Sequence, residues 1–374
     1  MDSKEIFPRA ALVTEWSCLI STPNSYLQNE LMNLRFNCLF VILSLLIIIP
    51  HPKAHAQSLQ RYEFESRQMG TTFKLIFYAP NDSIANVAQE SAFNRADTLN
   101  SILSDYDPKS NLNQLSSKSG THQFFAVDST LFLVLNKAQK LAKATDGAFD
   151  VTIGPAVSLW RKIRGADNPE LPSSQELKQV KDRVGHQHLS IDRPSHSVAL
   201  TQPGMQLDLG GIAKGFAADE MLRMLKEVGL HSVLVDAGGD IRLGDPPPGK
   251  KAWTVTIPAH KRDGSRKWLT LELSNCAIAT SGDLFQHVMI NGKRYSHIIN
   301  PHTGLGLTDQ SMVTVVAPDG ITADSYASAI SVLGVDKGME FVNGKSAIML
   351  RIEYKKNEDI DIRKSPGFDE LIME

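Results

Sequence analysis

The sequence has few cysteines, no excess of basic residues and no standard nucleotide-binding motif. Its 374 residues include three cysteines, and the charges of 39 Lys and Arg residues nearly balance those of 41 Asp and Glu residues. Without a basic excess, nucleic acid is not an expected partner. Neither a Gly-x-Gly-x-x-Gly fingerprint nor a complete Walker A sequence occurs, which excludes the standard dinucleotide and P-loop sites. No Cys/His cluster has the spacing of a zinc site.

Only one long apolar run is present, and it is too short to span a bilayer. Residues 38–49 are apolar except for Ser44, follow Arg35 and precede an Ala-His-Ala sequence at residues 54–56. A basic residue, an apolar stretch and a small-residue cleavage site in this order are typical of a secretory signal peptide. A buried helix or an uncleaved anchor is the alternative interpretation.

The signal peptide predicts where the mature protein begins and where it resides. We expect translation to start at Met32, with residues 1–31 an upstream extension, and cleavage after Ala56, which leaves one domain over residues 57–374. The protein would be exported to the periplasm, with association at the inner membrane left open. Cys276 is then the single remaining cysteine, which excludes an internal disulfide, and we interpret it as a structural residue rather than a nucleophile.

Helical and strand periodicities interleave along the mature chain without a regular βαβ alternation. This pattern favours the α+β class over a doubly wound sheet, and no composition break divides residues 60–370. The predicted helices cover residues 83–107, 129–147, 173–184 and 322–334. The predicted strands are a pair over 62–79, a strand with a glycine-rich turn over 231–245, and a strand over 311–318.

The stretch DLGGIAKGFAADEM, residues 208–221, places an acid, a Gly-Gly pair and Lys214 at the start of a predicted helix. A helix start offers free N–H groups and the positive end of the helix dipole, which suit a phosphate. The acid, Asp208, is unexpected there unless a cation or a ribose hydroxyl accompanies the phosphate.

Two further stretches combine glycines with polar side chains. DAGGD, residues 236–240, predicts either a hairpin turn or a close approach to a ligand. In ATSGD, residues 279–283, small donors follow an apolar run, as in a ligand-binding loop at a strand end. Between an apolar pair and an Asn-Pro turn, His297 is a candidate for proton transfer.

The stretch TADSYASA is the best candidate for a metal site. Asp324 and Ser328 are four residues apart, so a helix places them on one face. Such sparse oxygen ligands suit Mg²⁺, which retains water and leans on substrate phosphates. The alternative is that Thr322 or Asp324 is simply the N-cap of that helix.

Together these stretches resemble the FAD:protein FMN transferase (ApbE) family over about residues 60–350. The resemblance implies a single α+β domain that, with Mg²⁺, transfers FMN from FAD to a threonine or serine of an exported acceptor and releases AMP. The acceptor would be a subunit of a redox complex, one that can belong to the inner membrane. The matching stretches are MGTTF (69–73), LSDYDPKSNLNQLS (103–116), GAFDVTIGP (147–155), MQLDLGGIAKGFAAD (205–219), VDAGGDI (235–241), ATSGD (279–283), YSHIINPHTG (295–304) and TADSYASAISVLG (322–334).

The resemblance also implies roles for individual residues. The Mg²⁺ ligands would be the backbone carbonyl of Gly211 and the side chains of Asp324 and Ser328. His297 or Asp283 would serve as the catalytic base or orient the acceptor. The family carries an acid where this chain has Asn300, and if that acid orients the histidine, the amide could accept the same hydrogen bond. The residues expected at the FAD are Met69, Tyr106, Ala148, Phe149, Asp150, Asp208, Lys214, Ser281, Gly282, Asp283 and His297.

Two other functions stay open at this point. A Mg²⁺-dependent FAD pyrophosphatase would use the same site with water in place of the hydroxyl acceptor, forming FMN and AMP. A non-catalytic periplasmic flavin-binding protein would need neither the metal ligands nor the histidine.

Overall fold

Eight helices and seventeen strands make up the computed structural model, which describes residues 58–261, 263–282, 286–356 and 359–373. The helices are α1 (Asp82–Leu103), α2 (Asn111–Ser116), α3 (Ser129–Ala144), α4 (Gly154–Arg164), α5 (Ser174–Lys181), α6 (Ala213–Glu227), α7 (Gly320–Leu333) and α8 (Val335–Val342), with 3-10 turns at His186–His188 and Asp369–Leu371. The strands are β1 (Gln60–Gln68), β2 (Thr71–Ala79), β3 (Phe125–Ala126), β4 (Leu189–Asp192), β5 (Ser197–Leu200), β6 (Val233–Ala237), β7 (Ile241–Leu243), β8 (Trp253–His260), β9 (Arg266–Leu273), β10 (Ala277–Gly282), β11 (His287–Ile290), β12 (Lys293–Ser296), β13 (Ile299–Asn300), β14 (Leu305–Gly306), β15 (Ser311–Ala317), β16 (Met349–Lys356) and β17 (Asp359–Lys364).

The centre of the fold is an eight-stranded sheet in the order β1-β2-β6-β7-β10-β15-β16-β17. Every neighbouring pair in it is antiparallel. Smaller sheets are formed by β3-β5-β4, β8-β9, β11-β12 and β13-β14. The mixed, non-alternating order of helices and antiparallel strands confirms the α+β class.

The sheet is covered on both faces. On one face α6 packs against β6 and β7, while α7 packs against β10 and β15. On the other face the β8–β9 hairpin buries its apolar side chains against Ile278 and Val316. Because side chains alternate along a strand, Ala277 and Ala279 of β10 face α7 while Ile278 between them faces the hairpin.

Most predicted elements are present, and one helix next to the cavity was not predicted. The strand pair over 62–79 is β1 and β2, and the helices predicted over 83–107, 129–147, 173–184 and 322–334 are α1, α3, α5 and α7. The unpredicted helix is α4. It begins within the stretch GAFDVTIGP, residues 147–155, and has a proline in its first turn. No helix in the described ranges is both long and apolar enough to cross a bilayer.

Two glycines bring α6 and α7 unusually close together. A Cβ atom on Gly215 would lie 2.1 Å from the carbonyl oxygen of Gly320, and one on Gly320 would lie 2.3 Å from the carbonyl oxygen of Gly215. Only residues without a side chain permit this approach. The N-terminal turns of the two helices therefore meet, and this contact positions the candidate site.

Candidate active site

A cavity of about 720 Å³ opens where α6 and α7 meet the ends of several strands. Eight of the residues predicted from the sequence line it: Met69, Tyr106, Lys214, Ser281, Gly282, His297, Asp324 and Ser328. They come from stretches that are far apart in the chain, so the fold brings the separate motifs to one place. Asp283 and residues 1–57 lie outside the described residues.

Five other predicted site residues do not line the cavity: Ala148, Phe149, Asp150, Asp208 and Gly211. Ala148 and Phe149 are buried, and the carboxylate of Asp150 accepts hydrogen bonds from the backbone and hydroxyl of Thr152 at 2.8 and 2.7 Å. Phe149 packs behind Gly211, where a Cβ atom would lie 3.5 Å from its ring. Direct contact between these residues and FAD stays a prediction.

The first group of polar residues, which we name the helix-crossing cluster, comprises Lys214, Asp240, Asp324 and Ser328. Lys214 forms an ion pair with Asp240. Oδ2 of Asp324 accepts the Gly215 N–H at 3.0 Å, and the residue is 5% exposed. Burial, together with the charge of Asp240, raises the pKa of Asp324 to about 7. The pKa of Lys214 is raised as well, because the attraction of Asp240 and Asp324 outweighs the opposing effect of burial.

The structure excludes one of the two interpretations of Asp324, that of an N-cap, and the metal site stays a prediction. The N-cap of α7 is Asp319, whose side chain accepts the Thr322 N–H at 2.9 Å. Asp324 lies inside the helix, so the N-cap interpretation of Thr322 or Asp324 was wrong. The acid is therefore not explained by helix capping, and its side chain lines the cavity.

Ser328 differs from the other serines of α7. The hydroxyls of Ser325 and Ser331 donate to carbonyl oxygens one turn earlier, at 2.6 and 2.9 Å. Within the described residues Ser328 makes no such bond, and its Oγ lines the cavity. A Cβ atom on Gly211 would lie 2.7 Å from this Oγ, so the backbone of Gly211 runs directly beside it.

These contacts test whether the predicted magnesium ligands fit together. A buried carboxylate, a hydroxyl without an intrahelical partner and an adjacent backbone form the hard oxygen set that Mg²⁺ accepts. In the described part of the chain, no group of three or more His, Cys, Asp or Glu residues is arranged to hold a metal. The residues therefore fit an ion that keeps waters and shares substrate oxygens, and they do not form an all-protein cage.

A second group, the arginine cluster, comprises Asp105, Tyr106, Arg161 and Asp208. Nη1 of Arg161 lies 2.5 Å from Asp105 and Nη2 lies 3.2 Å from Oδ2 of Asp208. The guanidinium also stacks on Tyr106, with Cζ 4.1 Å from the ring centroid. Burial and the nearby Asp105 raise the pKa of Asp208 to about 6. Asp208 thus binds Arg161 and the Gly210 N–H and does not cap α6.

His297 enters the cavity from the segment that follows β12. Its Nδ1 lies 3.1 Å from the carbonyl oxygen of Gln286. Since a carbonyl only accepts, this contact favours the tautomer protonated at Nδ1. The amide of Asn300 accepts the His302 N–H at 2.9 Å, so it closes the following turn instead of orienting His297.

The glycine-rich stretch 236–240 forms the predicted hairpin turn, and its close approach to a ligand stays a prediction. It is the turn between β6 and β7, with Gly238 and Gly239 at φ values of 74° and 103° and the Gly239 N–H bonded to Asp236 at 2.7 Å. The same turn delivers Asp240 to Lys214. Asp240 was not assigned to the site from the sequence, although its place after two adjacent glycines was a usable signal.

Two other lining features were missed. Asp105 lines the cavity, and the only local signal for it in the sequence is that it adjoins the predicted Tyr106. Arg161 also lines the cavity and lies on the unpredicted helix α4.

Met69 holds a left-handed φ of 46° in the turn between β1 and β2, a conformation that is costly for a residue with a side chain.

The thiol of Cys276 is not part of this site. It directly precedes β10, and burial raises its pKa to about 11. A thiol held in its protonated form is a poor nucleophile, in line with the structural role expected from the sequence.

Comparison with known proteins assigns a family to this arrangement. The FAD:protein FMN transferase from Haemophilus influenzae is 28% identical to this chain over 313 residues, which cover 82% of this chain and 90% of the relative. The enzyme of the same name from Treponema pallidum is 33% identical, covering 72% and 78% of the two chains. The structure of the flavin transferase ApbE from Vibrio cholerae superposes with a TM-score of 0.76 at 28% identity and covers 84% of this chain and 100% of that one. Since the ApbE family model also matches residues 69–350, this chain belongs to the ApbE family of flavin transferases.

Proposed function

We propose that the protein is a Mg²⁺-dependent FAD:protein FMN transferase that moves the FMN half of FAD onto a threonine or serine hydroxyl of an exported acceptor and releases AMP. The observation that carries the metal dependence is the charge of the cavity. Its described lining contains four carboxylates, Asp105, Asp107, Asp240 and Asp324, against the two cations Arg161 and Lys214. An acidic cavity repels a pyrophosphate unless a cation lies between them.

Asp324, Ser328 and the carbonyl of Gly211 are the residues that would hold this cation. Bound there, Mg²⁺ would neutralise the pyrophosphate oxygens and stabilise AMP as the leaving group. Lys214 adds positive charge at the start of α6, and Asp240 holds its ammonium group in place. The cavity wall would therefore orient the pyrophosphate before the acceptor arrives.

The acceptor hydroxyl must lose its proton as it attacks the phosphorus of the FMN half. His297 is the residue we assign to accept it, because its imidazole lines the cavity and its Nδ1 contacts the Gln286 carbonyl oxygen. The new bond joins the acceptor oxygen to phosphorus, and the bond from phosphorus to the AMP oxygen breaks. Asp283 remains the other candidate for the base.

Incubation with FAD, Mg²⁺ and a candidate acceptor tests the proposal directly. A mass gain of one FMN on the acceptor, with one AMP released per gain, is the expected result, and chelation of the metal should stop it. Free FMN and AMP without modified acceptor would instead indicate a pyrophosphatase. Unchanged FAD under all conditions would indicate a binding protein.

Export completes the proposal. The basic residue, apolar run and Ala-His-Ala sequence of residues 35–56 support cleavage after Ala56, which would place the enzyme in the periplasm with its acceptors. Subunits of exported or inner-membrane redox complexes are the acceptor class we propose. The N-terminal sequence of protein from the periplasmic fraction should begin at or within one residue of Gln57. An N-terminus at Met1 or Met32 in that fraction would contradict export by cleavage.

A further inference from the structure

We propose that Arg161 is a positioning residue that fixes the ring of Tyr106 as a platform on which one ring system of FAD stacks. The proposal rests on the proposed function for the identity of the ligand. It adds that Arg161 acts through Tyr106 and does not itself bind the phosphates.

The stacking geometry is the first observation. Tyr106 is 75% exposed although it lines the cavity, and the Arg161 guanidinium covers one face of its ring. The opposite face is left for a planar ligand. An exposed tyrosine that no neighbour restrains loses rotamer freedom when a ligand stacks on it, whereas a ring already held in place loses less.

The backbone under Tyr106 is fixed independently of Arg161. Ser104 Oγ accepts the N–H groups of Tyr106 and Asp107 at 3.2 and 3.3 Å. The Asn113 amide donates to the carbonyl oxygens of Asp105 and Asp107 at 2.9 and 2.8 Å. These bonds position the loop but do not determine the rotation of the Tyr106 side chain, which is what the guanidinium restrains.

Arg161 itself is held by two carboxylates. Asp105 and Asp208 bind different terminal nitrogens, at 2.5 and 3.2 Å, and Oδ1 of Asp208 is held in turn by the Gly210 N–H at 2.8 Å. The three side chains together carry a net negative charge when both acids are ionised. A guanidinium already engaged by two acids is poorly suited to bind a phosphate, so we assign it to positioning.

Lysine cannot replace arginine in this role. An ammonium group keeps the charge but lacks the planar fork that binds two acids and stacks on a ring at the same time. We expect Arg161→Lys to raise the Kd for FAD about tenfold, within the range of a partly desolvated cation–π contact, and to change kcat little. Tyr106→Ala should raise the Kd to a similar extent.

The double variant separates positioning from direct binding. If Arg161 acts through Tyr106, adding Arg161→Lys to Tyr106→Ala should cause almost no further loss of FAD affinity. If the two residues act independently, their effects should multiply to about a hundredfold. Arg223→Lys on α6 is the matched control, because its guanidinium is likewise held by two carboxylates, Glu220 and Glu227, but does not line the cavity, and the variant should leave the Kd unchanged.

Direct titration of FAD in the presence of Mg²⁺, followed by flavin fluorescence, is the main measurement, with thermal unfolding of each variant to confirm folding. An Arg161→Lys variant with wild-type Kd, or multiplicative effects in the double variant, would overturn the proposal. Because binding is measured without an acceptor, the result is independent of FMN transfer. Bound FAD without any transfer would count against the proposed function only, whereas a wild-type protein that does not bind FAD would overturn both.

Discussion

The helix-crossing cluster and the arginine cluster contribute most of their side chains to one cavity but are built in different ways. Asp324 and Ser328 stand on α7, which is pressed against α6 at the Gly215–Gly320 contact. Tyr106 stands on a loop and exposes most of its ring. The contrast between buried Asp324 and exposed Tyr106 indicates a division of work, in which the helix-crossing cluster would perform the chemistry and the arginine cluster would recognise a ring system.

If this division is right, changes in the helix-crossing cluster should lower kcat, and changes in the arginine cluster should mainly weaken FAD binding.

The largest effect is expected for Asp324→Asn. Asparagine keeps an oxygen for the Gly215 N–H but removes the charge that holds the cation. Transfer should fall about a thousandfold, the scale of losing several kcal/mol of Lewis-acid stabilisation.

The rate of FMN attachment should be measured over a range of Mg²⁺ concentrations, with FAD binding measured in parallel. Partial survival of FAD binding is expected, since the arginine cluster is intact. A variant as active as the wild type at limiting Mg²⁺ would remove Asp324 from the metal site.

His297→Ala should have the next largest effect. Loss of a general base typically lowers the rate by about 10²–10⁴-fold, while the affinity for FAD should stay the same. The wild-type rate should rise with pH through the neutral region, because only the neutral imidazole accepts a proton, and the variant should lose this rise. Asn300→Asp is the control, since an aspartate can still accept the His302 N–H. A variant at position 297 with wild-type turnover would transfer the role to Asp283.

Gly215→Ala tests the scaffold of the helix-crossing cluster. A methyl group there would lie 2.1 Å from the Gly320 carbonyl oxygen, so α6 and α7 must move apart. We expect a loss of about 1–3 kcal/mol in the free energy of unfolding, the usual cost of overpacking. Gly165→Ala, at the end of α4, would meet its nearest atom at 3.5 Å and should be close to neutral. Equal stability of the two variants in denaturant unfolding would show that the helix contact tolerates a side chain.

The smallest effect is expected for Ser328→Ala. Water can replace a neutral ligand of Mg²⁺, so the Mg²⁺ concentration for half-maximal rate should rise only about two- to tenfold. Ser331→Ala on the same helix is the matched control, because that hydroxyl bonds back to the Ala327 carbonyl. If both variants require the same Mg²⁺ concentration as the wild type, Ser328 is not a ligand.

The sequence predicted the parts of the site that depend on local order. Asp324 and Ser328 share a helix face because they are one turn apart, and the turn between β6 and β7 follows from two adjacent glycines. The α+β class followed from the irregular alternation of the two periodicities. In each case the relevant residues are close together in the chain, so local geometry decides the outcome.

Only the tertiary structure decided the contacts between residues that are far apart in the sequence. Asp240 pairs with Lys214 and Arg161 with Asp208, over 26 and 47 positions, and the Gly215 N–H binds Asp324 across 109. No periodicity encodes such pairs, because they arise from the packing of α4, α6 and α7 around the sheet. The sequence by itself determined which residue types were available and in which elements they lie. The packing of those elements, including the approach of α6 and α7 at Gly215 and Gly320, decided which charged groups meet.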